Sequence, residues 1–179
     1  MKVNKAVFLD RDGVINKSIV RLGKPYAPLL LREFKILSGV KKTLEILKKK
    51  NFLLIVVTNQ PDFKTRKLKL TELNKMNKIL INKLKIDQIY VCKHDDFDLC
   101  KCRKPKNKFL EDAIKKYKIN RKLSFLVGDR EKDILAGLKS KLKTIYIDKN
   151  YNEPKPKKFD FKCKNLNESL EYINQFLID

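Results

Sequence analysis

The segment AVFLDRDGVIN, Ala6 to Asn16, runs four apolar residues straight into two aspartates one residue apart and then a glycine. A short apolar run bounded by polar residues is the pattern of a strand buried on both faces. Lys5–Leu9 is therefore read as the first strand, with Asp10 and Asp12 where the chain leaves it. The same arrangement returns in NFLLIVVTNQ (51–60), where Phe52–Val57 leads into Thr58, Asn59 and Gln60. IDQIYVC (86–92), KLSFLVGD (122–129) and KTIYID (143–148) read as three further strands.

Helical spacing fills the intervals. Ser38 is expected to cap a helix whose Val40, Leu44 and Leu47 share a face, and Thr71 to open another with Leu73, Met76, Leu80 and Leu84 inward. Residues 107–117 place Leu110, Ala113, Ile114 and Tyr117 on one side, and 131–141 form a short helix. Asn167 is expected to cap a terminal helix with Leu170, Ile173 and Leu177, after a loop over 149–158. Alternating strands and helices predict an α/β fold: a doubly wound, Rossmann-like parallel sheet with helices on both faces. The segments between strands are too short for a separate cap domain, so residues 1–179 are read as a single domain.

Composition narrows the class. No window approaches 18 consecutive apolar residues, which excludes a membrane-spanning helix, and the N-terminus lacks an apolar signal region. A cytoplasmic monomer is expected. The net charge is +22, but 36 of the 43 basic residues are lysines spread along the chain. That distribution fits solvated faces better than a nucleic-acid stripe, and its positive field would favour phosphorylated metabolites.

The polar signals fall where strands end, which in open α/β sheets is where ligands bind. The strand ends supply Asp10 and Asp12, Thr58, and Asp129 with Arg130 and Asp133; Arg103 and Lys104 follow the third strand. Crowded carboxylates repel unless a cation sits among them, and an all-oxygen ligand set favours Mg²⁺. Asp10 is read as a nucleophile toward phosphorus, Asp12 as the proton shuttle, and Thr58 and Lys104 as groups that stabilise the transferring phosphoryl oxygens. Gly13 is expected to let the turn close over the phosphate.

FLDRDGVIN, VVTNQ, CRKP and VGDREKD, in this order, resemble the haloacid dehalogenase-like superfamily of aspartate-nucleophile phosphatases over roughly Val7 to Ile147. The resemblance implies Mg²⁺ held by Asp10, the Asp12 backbone carbonyl and Asp129, with Asp133 supporting from behind.

CKHDDFDLCKC adds a second metal set: Cys92, His94, Cys100 and Cys102 within eleven positions. Three thiolates and an imidazole suit a closed, structural Zn²⁺ site in a loop over 92–102, directly before Arg103 and Lys104. Cys163 stands apart and is read as a buried, idle thiol. With this loop the chain looks like the D-glycero-D-manno-heptose 1,7-bisphosphate 7-phosphatase family, and is also similar to the histidinol-phosphate phosphatases. The family implies a sugar-phosphate substrate met by Asn59, Arg103 and Arg130, in a pocket bounded by the zinc loop and the loop near Lys17–Tyr26. The chain departs from the family at PDFKTRK (61–67) and KNK (106–108), both substrate-facing loops. A polynucleotide 3′-phosphatase or a non-catalytic zinc-stabilised nucleic-acid module are the alternatives; the zinc loop disfavours the first and the complete aspartate motif the second.

Overall fold

Residues 4–176 are described by a computed structural model. Six strands form one parallel sheet: β1 (Lys5–Leu9), β4 (Phe52–Asn59), β5 (Gln88–Cys92), β6 (Phe125–Gly128), β7 (Lys143–Ile147) and β8 (Phe161–Cys163), in the order β5-β4-β1-β6-β7-β8. A separate antiparallel hairpin joins β2 (Ile19–Arg21) to β3 (Lys24–Tyr26). The helices are α1 (Val40–Lys49), α2 (Leu70–Leu84), α3 (Lys108–Lys116), α4 (Glu131–Lys139) and α5 (Ser169–Phe176).

Strand alternation divides the core into two layers. On β1, Val7 and Leu9 face one way while Ala6 and Phe8 face the other. On β4, Phe52, Leu54 and Val56 oppose Ile55 and Val57. The first face is covered by α1, α2 and α5 through Leu44, Leu47, Met76, Leu80 and Ile173. The second is covered by α3 and α4 through Leu110, Ala113, Ile134 and Ala136. Both faces are buried, which is why these strands read as continuous apolar runs. No helix of the described residues is long and apolar enough to cross a membrane.

The order reverses at β1. From β1 the chain steps outward to β4 and β5, then returns to β1's other side with β6, β7 and β8. Asp10 extends the ladder by one bond, its N–H donating to Val127 O at 3.0 Å. The carboxyl end of β1 is thus the switch point at which such sheets open a crevice.

Several sequence expectations are corrected. The sheet has a sixth strand, β8, and residues 17–26 contain a hairpin. β8 is a three-residue edge strand with a lysine in its middle, so it carries no apolar run, and the hairpin holds Pro25 opposite Val20. β4 continues through Thr58 to Asn59, because these residues keep their pairing with Val91 and Cys92. Ser38 does not cap α1: Gly39 takes the N-cap position in a left-handed conformation, without a side-chain bond. α2 begins at Leu70, so Thr71 lies inside its first turn. The Asn167 side-chain oxygen accepts from the Thr43 hydroxyl at 3.4 Å, tying α5's approach to α1. Leu177 lies outside the described residues.

Phe125 is fully buried at the centre of the first face, edge-on to Phe52, Tyr172 and Phe176 with ring centroids 5.5–6.2 Å apart. Phe125→Ala leaves a cavity that the rings from β4 and α5 cannot jointly fill. A loss of about 3–5 kcal/mol is expected, read as a lower urea midpoint with an unchanged slope.

Candidate active site

Four loops at the carboxyl end of the sheet converge on Lys104. Its ammonium group donates to Asp10 Oδ1, Asp133 Oδ1 and Val57 O, each at 2.7 Å. The side chain is 3% exposed, so all three protons are engaged inside the protein. Burial works against the charge on Lys104, but Asp10 and Asp133 outweigh it and raise its pKa above the ordinary lysine range. Burial likewise raises Asp10, to about 6, with Lys104 pulling the other way.

Asp129 completes the acidic group. Oxygen atoms of Asp10, Asp129 and Asp133 lie within 4.8 Å of one another. Both Asp129 oxygens are buried and accept no hydrogen bond of normal geometry, although the Tyr151 hydroxyl lies beside them. Burial, then Asp10 and Asp133, drive its pKa well above the usual carboxylate value, with Tyr151 pulling the other way. A hard divalent cation fits this donor set: it would give Asp129 its missing partner and relieve the repulsion. Asp133, expected behind the site, is in direct contact with Lys104. Gly13 sits at φ +88°, and a Cβ there would lie 1.8 Å from Asp129 Oδ2. Its bare backbone therefore makes room for the Asp129 carboxylate, a role that the turn pattern alone does not reveal.

Asp12 is held from three directions. Its carboxylate accepts from Arg11 Nε and Nη2 at 3.0–3.2 Å, Asn16 Nδ2 at 2.9 Å and Gln60 Nε2 at 2.7 Å. Gln60 Nε2 also reaches Thr58 Oγ1 at 2.9 Å. Arg11 is fully buried, its guanidinium 5.6 Å from the centre of the Phe34 ring. Sequence reasoning gave Arg11, Asn16 and Gln60 no role. The available signal was a buried-type position carrying a large cation between two aspartates.

Asn59 and the cations of the pocket are engaged too. The Asn59 amide clasps the Lys104 backbone in both directions, donating to its carbonyl and accepting from its N–H at 3.1 Å. The Arg103 guanidinium grips Asp96 at 2.6 and 3.1 Å and donates to His94 O at 3.3 Å. Arg130 makes a two-pronged pair with Glu153. Asp10, Asp12, Thr58, Asn59, Arg103, Lys104 and Arg130 thus line one cavity. Asp129 is not part of the lining but is clustered with Asp10 and Asp133, which are.

The expected zinc ligands are also brought together. Cys102 Sγ lies 3.4 Å from both Cys92 Sγ and His94 Nδ1, and Cys92 Sγ is 3.7 Å from His94 Nδ1 and 3.9 Å from Cys100 Sγ. One ligand atom of each of the four falls within 4.8 Å of the rest. Burial pushes the Cys92 thiol up to about 12, which a soft dication would reverse. Cys163 is buried at the end of β8 and takes no part.

The family model of haloacid dehalogenase-like hydrolases matches residues 15–147. The chain is 32% identical over 176 residues to the D-glycero-beta-D-manno-heptose-1,7-bisphosphate 7-phosphatase of Helicobacter pylori strain J99, covering 95% of this chain and 97% of that protein. It is 33% identical over 178 residues to the D-glycero-alpha-D-manno-heptose-1,7-bisphosphate 7-phosphatase of Campylobacter jejuni, covering 96% of each. Among solved structures, the D,D-heptose 1,7-bisphosphate phosphatase of B. bronchiseptica, complexed with magnesium and phosphate, superposes with a TM-score of 0.82 at 23% identity over 96% of this chain and 98% of that one. With the fold, the strand-end site and a full-length match in agreement, the chain belongs to the haloacid dehalogenase-like hydrolases and, within them, to the heptose-1,7-bisphosphate 7-phosphatase family.

Proposed function

We propose that the protein is a phosphatase that removes the 7-phosphate of D-glycero-D-manno-heptose 1,7-bisphosphate through an aspartyl-phosphate on Asp10. The observation that carries this reading is the pairing of two carboxylates in different environments one residue apart. Asp10 is buried against Lys104, while Asp12 is fixed by Arg11, Asn16 and Gln60. A carboxylate oxygen of Asp10 attacks phosphorus as the bond from phosphorus to the sugar oxygen breaks. Asp12 gives that oxygen a proton, and the sugar leaves as an alcohol. Asp12, now deprotonated, takes a proton from water; the resulting hydroxide attacks phosphorus, frees inorganic phosphate and restores Asp10. The N–H donors of Arg11, Asn16 and Gln60 fix the Asp12 side chain in one orientation for both transfers.

Thr58 and Lys104 are assigned to the phosphoryl oxygens, and Asn59 acts by fixing the backbone of Lys104. Asp10, the Asp12 carbonyl and Asp129 are assigned to Mg²⁺, which when bound supplies positive charge against the phosphoryl group. Cys92, His94, Cys100 and Cys102 are assigned to one structural Zn²⁺. Arg103 and Arg130 are placed at the sugar. We read residues 1–179 as one catalytic domain acting as a monomer without a cap, and place it in the cytoplasm. The four cysteines that form no disulfide support a reducing compartment.

Asp10→Asn keeps the volume but cannot attack phosphorus. Phosphate release is expected to fall at least about a thousandfold while thermal melting is retained. A folded, active variant would end the covalent mechanism.

Asp129→Ala is expected to raise the Mg²⁺ concentration needed for half-maximal activity about 10–100-fold. Mg²⁺ titration by calorimetry should show the same weakening without substrate.

Metal analysis should give about one zinc per chain, from one four-ligand set. Cys100→Ser and Cys102→Ser should lose it, and kcat/KM on the bisphosphate should fall by about 10²-fold as Arg103 loses its loop. The loss on p-nitrophenyl phosphate should be smaller, and Cys163→Ser should change neither. A zinc-free, fully active protein would refute the site.

A further inference from the structure

Two cations of the cavity above Asp10 have no ion-pair partner among the described residues, and one of them is half-buried. Five basic residues line the cavity: Lys24, Arg103, Lys104, Arg130 and Lys132. Arg103 is paired with Asp96, Arg130 with Glu153, and Lys104 with Asp10 and Asp133. Lys132 has no carboxylate oxygen of the described residues within 4.0 Å of its ammonium. Lys24 has none either, but it is exposed on the hairpin.

Lys132 is not an ordinary solvated helix lysine. It is the second residue of α4, between Arg130 and Asp133, and it is half-buried. Burial first, then the Arg130 and Arg103 guanidiniums, pull its pKa below the ordinary value; Asp133 and Asp96 oppose this only in part. A partly desolvated ammonium beside two guanidiniums is unfavourable unless something anionic joins it. Because Asp96 and Glu153 already neutralise the two arginines, Lys132 is the partly buried cation of this wall left without an ion-pair partner among the described residues.

Its placement says which anion. A depression that shares Lys24, Arg130, Lys132 and Glu153 with the cavity is completed by Glu131, Asn152 and Pro154, and includes neither Asp10 nor Lys104. Lys132 borders both spaces, at the end away from the reacting carboxylate. We infer that Lys132 is a specificity-determining residue, binding the phosphate of a sugar bisphosphate that is not transferred. This rests on the proposed function and extends it: bisphosphates are selected over monophosphates by Lys132, acting between Arg103 and Arg130.

The test compares Lys132→Met with Lys115→Met, an equal change in charge on the solvent side of α3. Steady-state kinetics are measured on heptose 1,7-bisphosphate and on heptose 7-phosphate, which keeps the scissile group but lacks the second phosphate. Lys132→Met should raise KM for the bisphosphate about 10–100-fold, the scale of one charge-assisted contact, with kcat nearly unchanged. Inhibition by heptose 1-phosphate should weaken in the same proportion, and the kinetics on heptose 7-phosphate should stay at the wild-type level. Lys115→Met should alter neither substrate. Equal effects on both substrates, no effect on either, or the same effect from Lys115→Met would overturn the inference. A wild-type protein that hydrolyses no sugar bisphosphate would overturn the proposed function and this subsite together. A wild-type protein that does, paired with an unaffected Lys132→Met, would remove the subsite alone.

Discussion

The Lys104 ammonium, enclosed by Asp10, Asp133 and the carbonyl of Val57, is the interaction on which the site depends. A buried charge is tolerated only when it is paired and its remaining hydrogen-bonding capacity is met. Three acceptors for three N–H bonds meet that condition. They also join the ends of three elements: the loop after β1, the end of β4 and the first turn of α4. The fold could not place Asp10 this deeply without Lys104, nor Lys104 without both carboxylates. Asp129 remains the unsatisfied member, and that is the opening into which a cation fits.

Positioning then propagates outward. Asn59 fixes the backbone of Lys104, and the Gln60 N–H donates to Cys92 O at 2.7 Å, so the end of β4 is stitched to the start of the Cys92–Cys102 loop. Inside that loop His94 and Asp96 hold Arg103. The Cys₃His cluster closes the loop at its base, within the same few residues that present Lys104 and Arg103. A loop of this length has few apolar contacts: Phe97 and Leu99 at its tip are 92% exposed. Packing therefore does little to set its geometry, and the four clustered ligand-type side chains at its base could do so by holding a metal ion.

The Asp10 and Asp12 carboxylates differ in their surroundings. Asp10 is desolvated beside one cation, whereas Asp12 sits among amide and guanidinium donors. Two carboxylates so close in sequence are thereby given separate environments, the condition under which a pair can divide its chemical roles. Arg11 and Gln60 create that second environment from the same two short motifs that supply Asp10 and Thr58.

What could be read directly from the residues was local. Apolar runs fixed five strands and the two-faced sheet, because burial on both faces leaves a mark in every strand. The polar residues at strand ends, and the spacing of Cys92, His94, Cys100 and Cys102, marked out residues that the fold brings together, for the same reason: each motif is contiguous. β8 and the hairpin were invisible because short edge elements carry no apolar pattern. Partnerships were equally hidden. Asp12 meets Gln60 across 48 positions and Lys104 meets Asp10 across 94. Glu153 reaches Arg130, and Lys132 is left alone between two arginines, only because the sheet order returns β6 to the side of β1. Which charge finds a partner, and which is left for a ligand, is decided by strand register and crossover. Those are properties of the packed sheet and belong to no single stretch of the chain.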